Sequence, residues 1–276
     1  TGRRARRIVE ESRESVAAAL NARPSEVVFT SGGTESDNLA VKGLYWSRRE
    51  ADPRRCRVLV TAVEHHAVLD PAQWLAEHDD AQLDLVPVDD RGRTTADALR
   101  RAVGDDPDSV AVVSAMWANN EVGTVAAIAE LAAVTASYGV PLHTDAVQAV
   151  GALPVDFAAS GAAALTVSGH KLGGPVGVGA LVLGRDVDCA PLLHGGGQER
   201  DVRSGTLDVP AIAAFAVAVD VAVGDRKARG DRLAELRDDL VARVLEVVPD
   251  AQLNGDPRSD PDHRLPGNAH FSFPGC

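Results

Sequence analysis

Cysteine is scarce in this chain, with three in 276 residues. Cys56, Cys189 and Cys276 show no paired spacing. This pattern excludes a disulfide framework and a cysteine-rich zinc site. Sparse, unpaired cysteines are typical of proteins from a reducing compartment.

The sequence also lacks an excess of positive charge and a long apolar run. Its net charge of −12 argues against nucleic acid and anionic membrane surfaces as partners. The longest apolar run, residues 211–219, is too short to cross a bilayer, and the arginine-rich start holds no apolar signal core. We therefore expect a cytoplasmic protein that binds neither nucleic acid nor membrane.

Lysine is the third scarcity. The 28 lysines and arginines include only Lys42, Lys171 and Lys227. Lysine can form an imine with an aldehyde, whereas arginine cannot. Lys42 lies in a helical pattern and Lys227 in a charged run, but Lys171 lies between an apolar strand and a glycine-rich turn. Lys171 is therefore the candidate for covalent chemistry.

The chain does contain a regular alternation of short β-branched apolar runs with helical patterns. Most of the apolar runs could be buried on both faces, as parallel strands are. This predicts an α/β fold with a mostly parallel seven-stranded sheet flanked by helices, whose ligands lie beyond the carboxyl ends of the strands. The predicted strands are residues 27–30, 58–62, 85–88, 110–114, 140–144, 165–168 and 180–183, and the predicted helices are residues 3–20, 35–47, 71–77, 95–103 and 128–138.

The pattern changes after Gly205. Helices are predicted at residues 210–223 and 231–247, with a break between them at residues 224–230. The second helix carries one apolar face, formed by Leu233, Leu236, Leu240, Val244 and Val247. A turn and the start of a strand follow it. We place a domain boundary at residue 224, with a large domain over residues 1–224 and the incomplete beginning of an α+β small domain over residues 225–276.

Polar side chains end two of the predicted strands. Asp145 and Gln148 follow one strand, and Lys171 follows the next, flanked by Ser168 and His170. A buried carboxylate can hold a ring nitrogen protonated, and a serine or histidine can donate to a phosphate. A carboxylate and an imine-forming lysine at neighbouring strand ends meet the needs of pyridoxal phosphate, a cofactor that acts as an electron sink.

A glycine turn precedes the helix predicted from residue 35. Gly32, Gly33 and Thr34 can present free backbone N–H groups to a phosphate. The alternative is an ordinary helix cap, with Thr34 capping against Asp37. The paired glycines favour the phosphate, because they let the backbone approach a ligand closely.

His65 and Asn120 follow two further strands. His65 can stack on a planar ring and move protons; the alternatives are a helix cap or a metal site with His66. Adjacent histidines diverge on a helix, which disfavours the metal site. Asn120 can donate to a phenolic or carboxylate oxygen, or it can belong to a simple turn.

A glycine-rich loop covers residues 194–206 and begins with His194-Gly195-Gly196-Gly197. Such a run can build the oxyanion hole of a hydrolase, but the chain holds no Gly-x-Ser-x-Gly turn to supply the nucleophile. A loop that faces a phosphate or contacts another subunit fits the sequence better.

Taken together, these segments resemble the cysteine desulfurases, in the class V aminotransferase group of fold-type I pyridoxal phosphate enzymes. The resemblance covers nearly the whole chain, and its most specific parts are residues 30–43, 64–70, 119–123, 143–148, 168–171 and 194–206. It implies that L-cysteine is converted to L-alanine. The sulfur would pass as an enzyme persulfide to an acceptor or scaffold protein, for iron–sulfur cluster assembly or thiolation.

The resemblance also implies the roles of individual residues. Lys171 would bind the cofactor aldehyde, and Asp145 would pair with its ring nitrogen. His65 would stack on the ring and, like Lys171, act as a catalytic proton carrier. Gln148 would donate to the phenolic oxygen, with Asn120 close to the same edge.

The phosphate of the cofactor would be bound by several small or polar residues, which are Gly33, Thr34, Ser168 and His170. The resemblance also implies that Thr206 reaches the phosphate of a partner subunit. The site therefore implies a homodimer, and it implies no metal.

The chain departs from the family pattern in one way that bears on activity. The family's small-residue loop with a nucleophilic cysteine, of the Ser-Gly-Ser-Ala-Cys type, is absent, as is its arginine for the substrate carboxylate. We expect Cys276 not to carry sulfur, and the chain, truncated at both ends, to be inactive alone as a desulfurase. The alternatives are a selenocysteine lyase, another class V lyase or aminotransferase, or a non-catalytic cofactor-binding fragment.

The small number of lysines makes the covalent assignment testable. Borohydride reduction of the protein with pyridoxal phosphate should fix the label on Lys171, because imine reduction is irreversible and only three lysines compete. Peptide mapping by mass spectrometry locates the label, and Lys171→Arg is the control that keeps the charge and loses the imine. A label on Lys42 or Lys227 instead would contradict the assignment.

Overall fold

The structure is a computed structural model that describes residues 2–275. Cys276 lies outside the described residues, so its exclusion as a sulfur carrier stays a prediction. The helices are α1 (Gly2–Ala19), α2 (Gly33–Ala51), α3 (His66–His78), α4 (Ala96–Val103), α5 (Ile128–Ser137), α6 (Phe157–Ser160), α7 (Val209–Gly224) and α8 (Arg226–Val247). The strands are β1 (Val27–Thr30), β2 (Arg57–Thr61), β3 (Gln82–Val86), β4 (Val110–Ser114), β5 (Leu142–Asp145), β6 (Ala164–Ser168), β7 (Gly179–Leu183), β8 (Gln252–Leu253) and β9 (Phe271–Ser272).

Seven strands form one sheet in the order β1-β7-β6-β5-β4-β2-β3. Strands β2 to β6 pair in parallel, whereas β7 is antiparallel to both of its neighbours, β6 and β1. Because two antiparallel pairings restore the direction, β1 points the same way as β2 to β6. The predicted α/β fold with a mostly parallel seven-stranded sheet is confirmed.

Helices cover both faces of this sheet. Apolar side chains of α2 and α3, such as Leu44 and Leu75, pack on one face. Side chains of α1, α4, α5 and α7, such as Val16, Leu131 and Phe215, pack on the other. Every residue of β4 is buried, as expected for a central strand covered on both sides. Within residues 2–275, no helix has both the length and the apolar character needed to cross a membrane.

The C-terminal region differs in part from the prediction. The predicted break between the two helices is present but shorter than residues 224–230: α7 ends at Gly224 and α8 starts at Arg226, so α8 runs through Gly230. Its apolar face is also largely uncovered, with Leu236 and Leu240 about half exposed at 53% and 49%. β8 and β9 form a separate two-stranded sheet. The domain boundary at residue 224 stays a prediction.

Two smaller differences arise from local chemistry. β3 starts at Gln82 rather than at residue 85, because pairing with β2 extends from Arg57 opposite Gln82. α3 starts at His66 rather than at Pro71, because the His65 side chain caps it by accepting a hydrogen bond from Ala67 N at 3.0 Å. A side-chain cap outweighs the helix-start signal of proline here.

Gly43 lets α2 lie close to the segment that follows β7. A Cβ atom at Gly43 would lie 2.6 Å from the carbonyl oxygen of Ala190 and would also meet Cys189 Sγ. The backbone N–H of Ala190 donates to Gly43 O at 3.0 Å, so this segment has little freedom to move away.

We expect Gly43→Ala to lower the free energy of unfolding by about 1–3 kcal/mol, because overpacking forces the backbone apart. Urea unfolding measures the change. Gly224→Ala, in α7, is the matched control: a Cβ there meets nothing within 4 Å, so its stability should be unchanged or higher. Equal unfolding midpoints for Gly43→Ala and the wild type would contradict the close contact.

Candidate active site

The carboxyl ends of β1, β2, β4, β5 and β6 point to one edge of the sheet. Strand pairing ends at this edge of the sheet. Each strand is therefore followed there by a polar turn or by the start of a helix. In register, Asp145 at the end of β5 pairs with Thr166 of β6. The next turn after β6 is a short 3₁₀ helix, Gly169–Leu172, that carries Lys171.

These turns enclose a cavity of about 370 Å³. All of the predicted site residues except Thr206 line it, namely Gly33, Thr34, His65, Asn120, Asp145, Gln148, Ser168, His170 and Lys171. Residues up to 138 positions apart in the sequence, such as Gly33 and Lys171, therefore meet at one place. Their juxtaposition is observed, whereas the role of each residue stays a prediction.

The turn between β1 and α2 is built for close approach. Gly32 has φ of 148°, which favours glycine, and it forms the N-cap of α2 without any side-chain cap. The alternative of Thr34 capping against Asp37 is therefore wrong. A Cβ at Gly33 would lie 3.1 Å from Val147 Cγ2 and 3.4 Å from Ser168 Cβ. The absence of a side chain at Gly33 therefore lets the start of α2 lie close to the ends of β5 and β6.

Local hydrogen bonds orient the side chains of His170 and His65. Ser168 Oγ lies 2.9 Å from His170 Nδ1, so one of these two groups donates to the other. His65 Nδ1 accepts from Ala67 N, which leaves Nε2 as the protonated nitrogen of the neutral ring. Lys171 and His65 are both exposed in the cavity, where a ligand can reach them.

Asp145 is the buried acid of the cavity. It is 6% exposed, and its Oδ1 accepts a hydrogen bond from Val147 N at 2.8 Å. Burial raises the pKa of Asp145, while that hydrogen bond and the nearby His65 and Lys171 oppose the rise. A cationic ligand group that pairs with this carboxylate would favour its charged form.

Three buried polar residues at or near the cavity, Asp37, His143 and Glu64, were not predicted as site residues from the sequence. Asp37 is 1% exposed, lines the cavity, and has an Oδ1 without a hydrogen-bond partner, 3.5 Å from His143 Nε2. Burial raises the pKa of Asp37 well above its ordinary value, and the charges of Asp145 and Glu64 add to this. The sequence does hold a signal that Asp37 is buried: by helical spacing it lies on the same face of α2 as the buried Ala40, Val41 and Leu44.

His143 connects Asp37 to neighbouring strands. Its Nδ1 lies 2.8 Å from Ser114 Oγ on β4, and its Nε2 lies 3.0 Å from Thr166 Oγ1 on β6. Burial lowers the pKa of His143 to about 3. His143 is therefore uncharged at neutral pH, and its contact with Asp37 is not an ion pair.

Glu64 is the third buried carboxyl of this region. Its Oε1 accepts from Thr61 Oγ1 at 2.5 Å and from Met116 N at 2.6 Å, and its Oε2 has no partner. Burial raises the pKa of Glu64 to about 8, and the charge of Asp145 adds to the rise. Glu64 fixes the loop after β2 against the loop after β4, on which Asn120 lies.

The loop with Asn120 is also held from the C-terminal side. Asn119 Oδ1 accepts from Glu121 N and Val122 N, which closes the turn. Asn268 Nδ2 donates to Glu121 O at 2.9 Å, and Leu265 N donates to Gly123 O at 2.8 Å. The C-terminal segment therefore braces one wall of the cavity.

Thr206 is the predicted site residue that lies elsewhere. It lines a second cavity of about 810 Å³, next to Arg13 and Glu199. Within one copy of the chain it does not meet Lys171 or Asp145. The predicted contact with a partner subunit stays a prediction.

The residues around the first cavity fit pyridoxal phosphate. The buried carboxyl of Asp145 can accept from a ring N–H, and Lys171 offers an amine to an aldehyde. Asp37 Oδ1, buried without a partner, shows that the cavity wall has unused hydrogen-bonding capacity. The uncapped start of α2 at Gly32 leaves N–H groups for a phosphate.

Comparison with known proteins agrees with this arrangement. Residues 1–276 match the family described as aminotransferase class-V. The IscS-like cysteine desulfurase of Mycobacterium tuberculosis is 57% identical over 276 residues, which are all of this chain and 69% of that relative. The chain therefore spans about two thirds of the length of the curated relatives it matches.

Solved structures show the same similarity. A structure titled "NIFS-LIKE PROTEIN" superposes with a TM-score of 0.90 at 33% identity and covers 100% of this chain and 72% of its own. A structure titled "SspA in complex with cysteine" superposes with a TM-score of 0.73 at 34% identity. It covers 79% of this chain and 62% of its own.

The buried Glu64 makes stability depend on pH. Its pKa of about 8 in the fold lies above the ordinary value of 4.5, so folding favours the protonated form. The stabilisation is complete below about pH 4.5 and is lost as the pH rises towards 8.

Glu64→Gln removes this titration. We expect the stability of Glu64→Gln relative to the wild type to rise by a few kcal/mol between pH 5 and pH 8 and then to level off. Urea unfolding at several pH values measures it, with the exposed Glu14→Gln on α1 as the control. A difference that stays constant over this range would show that Glu64 is ionised throughout.

Proposed function

Because the chain belongs to the aminotransferase class-V family and, within it, to the cysteine desulfurases, which depend on pyridoxal phosphate, we infer that it forms the cofactor-binding part of an enzyme that removes sulfur from L-cysteine. The products would be L-alanine and a persulfide on an acceptor thiol. The observation that carries this proposal is the meeting of Lys171, Asp145 and His65 at one cavity.

Each cavity residue has a task in this proposal. Lys171 would hold the cofactor through its amine, and Asp145 would accept a hydrogen bond from the ring nitrogen. When bound, pyridoxal phosphate supplies an electron sink for the electron pair left on the substrate α-carbon. Burial raises the pKa of Asp145, so the ring N–H of the cofactor would be the partner that favours its charged form, and the buried surroundings would strengthen that hydrogen bond.

Proton movement would fall to His65 and Lys171. Both are exposed in the cavity, and the hydrogen bond from Ala67 N orients the imidazole with Nε2 free. A general base must come within hydrogen-bond reach of the proton that it takes. Gln148 and Asn120, on the same cavity wall, would donate to oxygen atoms of the cofactor and the substrate.

The sulfur acceptor is not among the residues of the cavity. Neither Cys56 nor Cys189 lines it, and burial raises the pKa of the Cys189 thiol to about 12, so it is not a nucleophile at neutral pH. We propose that the persulfide forms on a thiol supplied from outside the cavity wall. It would then pass to an iron–sulfur scaffold or to another sulfur-acceptor protein.

The assembly and the location belong to the proposal as well. The position of Thr206 away from the cavity of its own chain supports a homodimer in which it faces the cofactor of the partner. The acidic charge and unpaired cysteines support a cytoplasmic protein.

A second candidate function rests on the same absence of thiols. Among the described residues 2–275, no cysteine lines the cavity. The site therefore also suits a selenocysteine lyase, which needs no cysteine nucleophile to release selenium from its substrate. Assaying L-cysteine against L-selenocysteine, with alanine as the common product, separates the two. Alanine from selenocysteine alone would favour the lyase.

Exchange of the substrate α-proton tests the cofactor chemistry without any sulfur acceptor. Purified protein with pyridoxal phosphate should exchange the α-proton of L-cysteine for deuterium in D₂O, as followed by NMR. We expect Asp145→Asn to slow this exchange by about 100-fold or more, because the electron sink loses its buried charge partner. The exposed Asp250→Ala serves as the control, and exchange at the wild-type rate in Asp145→Asn would refute the role of Asp145.

A further inference from the structure

The glycine-rich loop of residues 194–206 is fastened by two ion pairs, one to α1 and one to the start of α2. One joins Glu199 to Arg13, and the other joins Arg203 to Glu35. The loop therefore contacts Glu35, which lines the first cavity, although Arg203 itself does not line that cavity.

The first ion pair fixes the loop in a strained conformation. Glu199, Arg200 and Asp201 have φ of 47°, 57° and 64°, which non-glycine residues rarely adopt and never without support. Arg13 is bidentate to Glu199, with both contacts at 2.7 Å, and the Glu199 carboxylate also accepts from Phe29 N of β1. The pair is almost fully buried, so the loop has one position relative to β1.

The second ion pair lies at the start of α2. Arg203 Nε donates to Glu35 Oε1 at 2.7 Å, and Arg203 Nη2 donates to Glu35 Oε2 at 3.3 Å. Glu35 Oε2 also accepts from Ser31 N at 2.8 Å, so this carboxylate closes the turn that contains Gly32 and Gly33. Each side chain of the pair is only 16% exposed.

Glu35 poses an electrostatic problem for the proposed phosphate site. Glu35 lines the same cavity as Gly33, Thr34 and Ser168, and its negative charge would repel a phosphate bound there. Burial raises the pKa of Glu35, but the hydrogen bonds from Arg203 and Ser31 outweigh burial and leave the pKa below its ordinary value. The carboxylate is therefore charged at neutral pH and needs a cation.

We propose that Arg203 is a positioning residue for cofactor binding, which neutralises Glu35 so that Glu35 can shape the glycine turn without repelling the phosphate of the cofactor. This inference rests on the proposed function, because it requires that a phosphate occupies the turn. Arg203 acts through Glu35 and makes no contact with the cofactor. The strained segment with Glu199 serves to bring Arg203 to this place.

The charge and the shape of the pair can be separated by substitution. Arg203→Ala leaves Glu35 charged and unpaired, whereas Glu35→Gln keeps an amide oxygen for Ser31 N and removes the charge. The double variant Glu35→Gln/Arg203→Ala keeps the turn acceptor and has neither charge. Arg243→Ala, which breaks the exposed pair with Asp239 on α8, is the matched control.

The readout is the dissociation constant of the apoprotein for pyridoxal phosphate and for pyridoxal, measured by absorbance titration. Pyridoxal has the same ring and aldehyde but no phosphate. We expect Arg203→Ala to weaken the binding of pyridoxal phosphate by about tenfold and to leave the binding of pyridoxal unchanged within about twofold. Glu35→Gln should bind pyridoxal phosphate at least as tightly as the wild type, and the double variant should return to within about threefold of it.

Two results would overturn the inference. A double variant as weak as Arg203→Ala would mean that Arg203 contacts the phosphate itself or only supports the loop. Weaker pyridoxal phosphate binding by Glu35→Gln would mean that the carboxylate charge is needed rather than tolerated. If the wild type binds no pyridoxal phosphate, the proposed function is overturned, and this inference with it. Far-UV circular dichroism is the control that each variant is folded.

Discussion

Asp145 places a carboxyl group where water barely reaches it, and much of the cavity is organised around that fact. An ionised carboxylate is costly to bury without a partner, yet within residues 2–275 the hydrogen-bond donor to Asp145 is a single backbone group, Val147 N. His65 and Lys171 lie near it and oppose the rise in its pKa. Under the proposed function, the ring N–H of the cofactor would be the further partner of this carboxyl group.

The neighbouring carboxyls make sense in this setting. Asp37 and Glu64 both have a raised pKa because they are buried and because Asp145 lies near them. If they keep their protons, Asp145 is free to carry the negative charge of the group. His143 contributes no charge, since its pKa is about 3, and it serves as a neutral link between β4, β6 and α2.

Much of this could be predicted from the sequence, because buried parallel strands are apolar on both faces and their polar ends stand out. β1 and β4 match the predicted bounds, and the residues around Asp145 and Lys171 meet as expected. What could not be predicted depends on the way in which separate segments pack. Glu64 is buried only because its loop folds against Met116, and the apolar face of α8 remains exposed although its sequence predicts burial.

The position of β1 has a consequence for the order in which the protein can assemble. The strand partner of β1 in the sheet is β7, some 150 residues later in the chain, so β1 is synthesised well before its partner. The glycine turn at Gly32 cannot be held beside Ser168 until residues 179–183 have left the ribosome and inserted between β1 and β6. Such long-range pairing is slow to form. The glycine turn is thus synthesised well before the strand that fixes its place, so under the proposed function the cofactor would be captured only after β7 has joined the sheet.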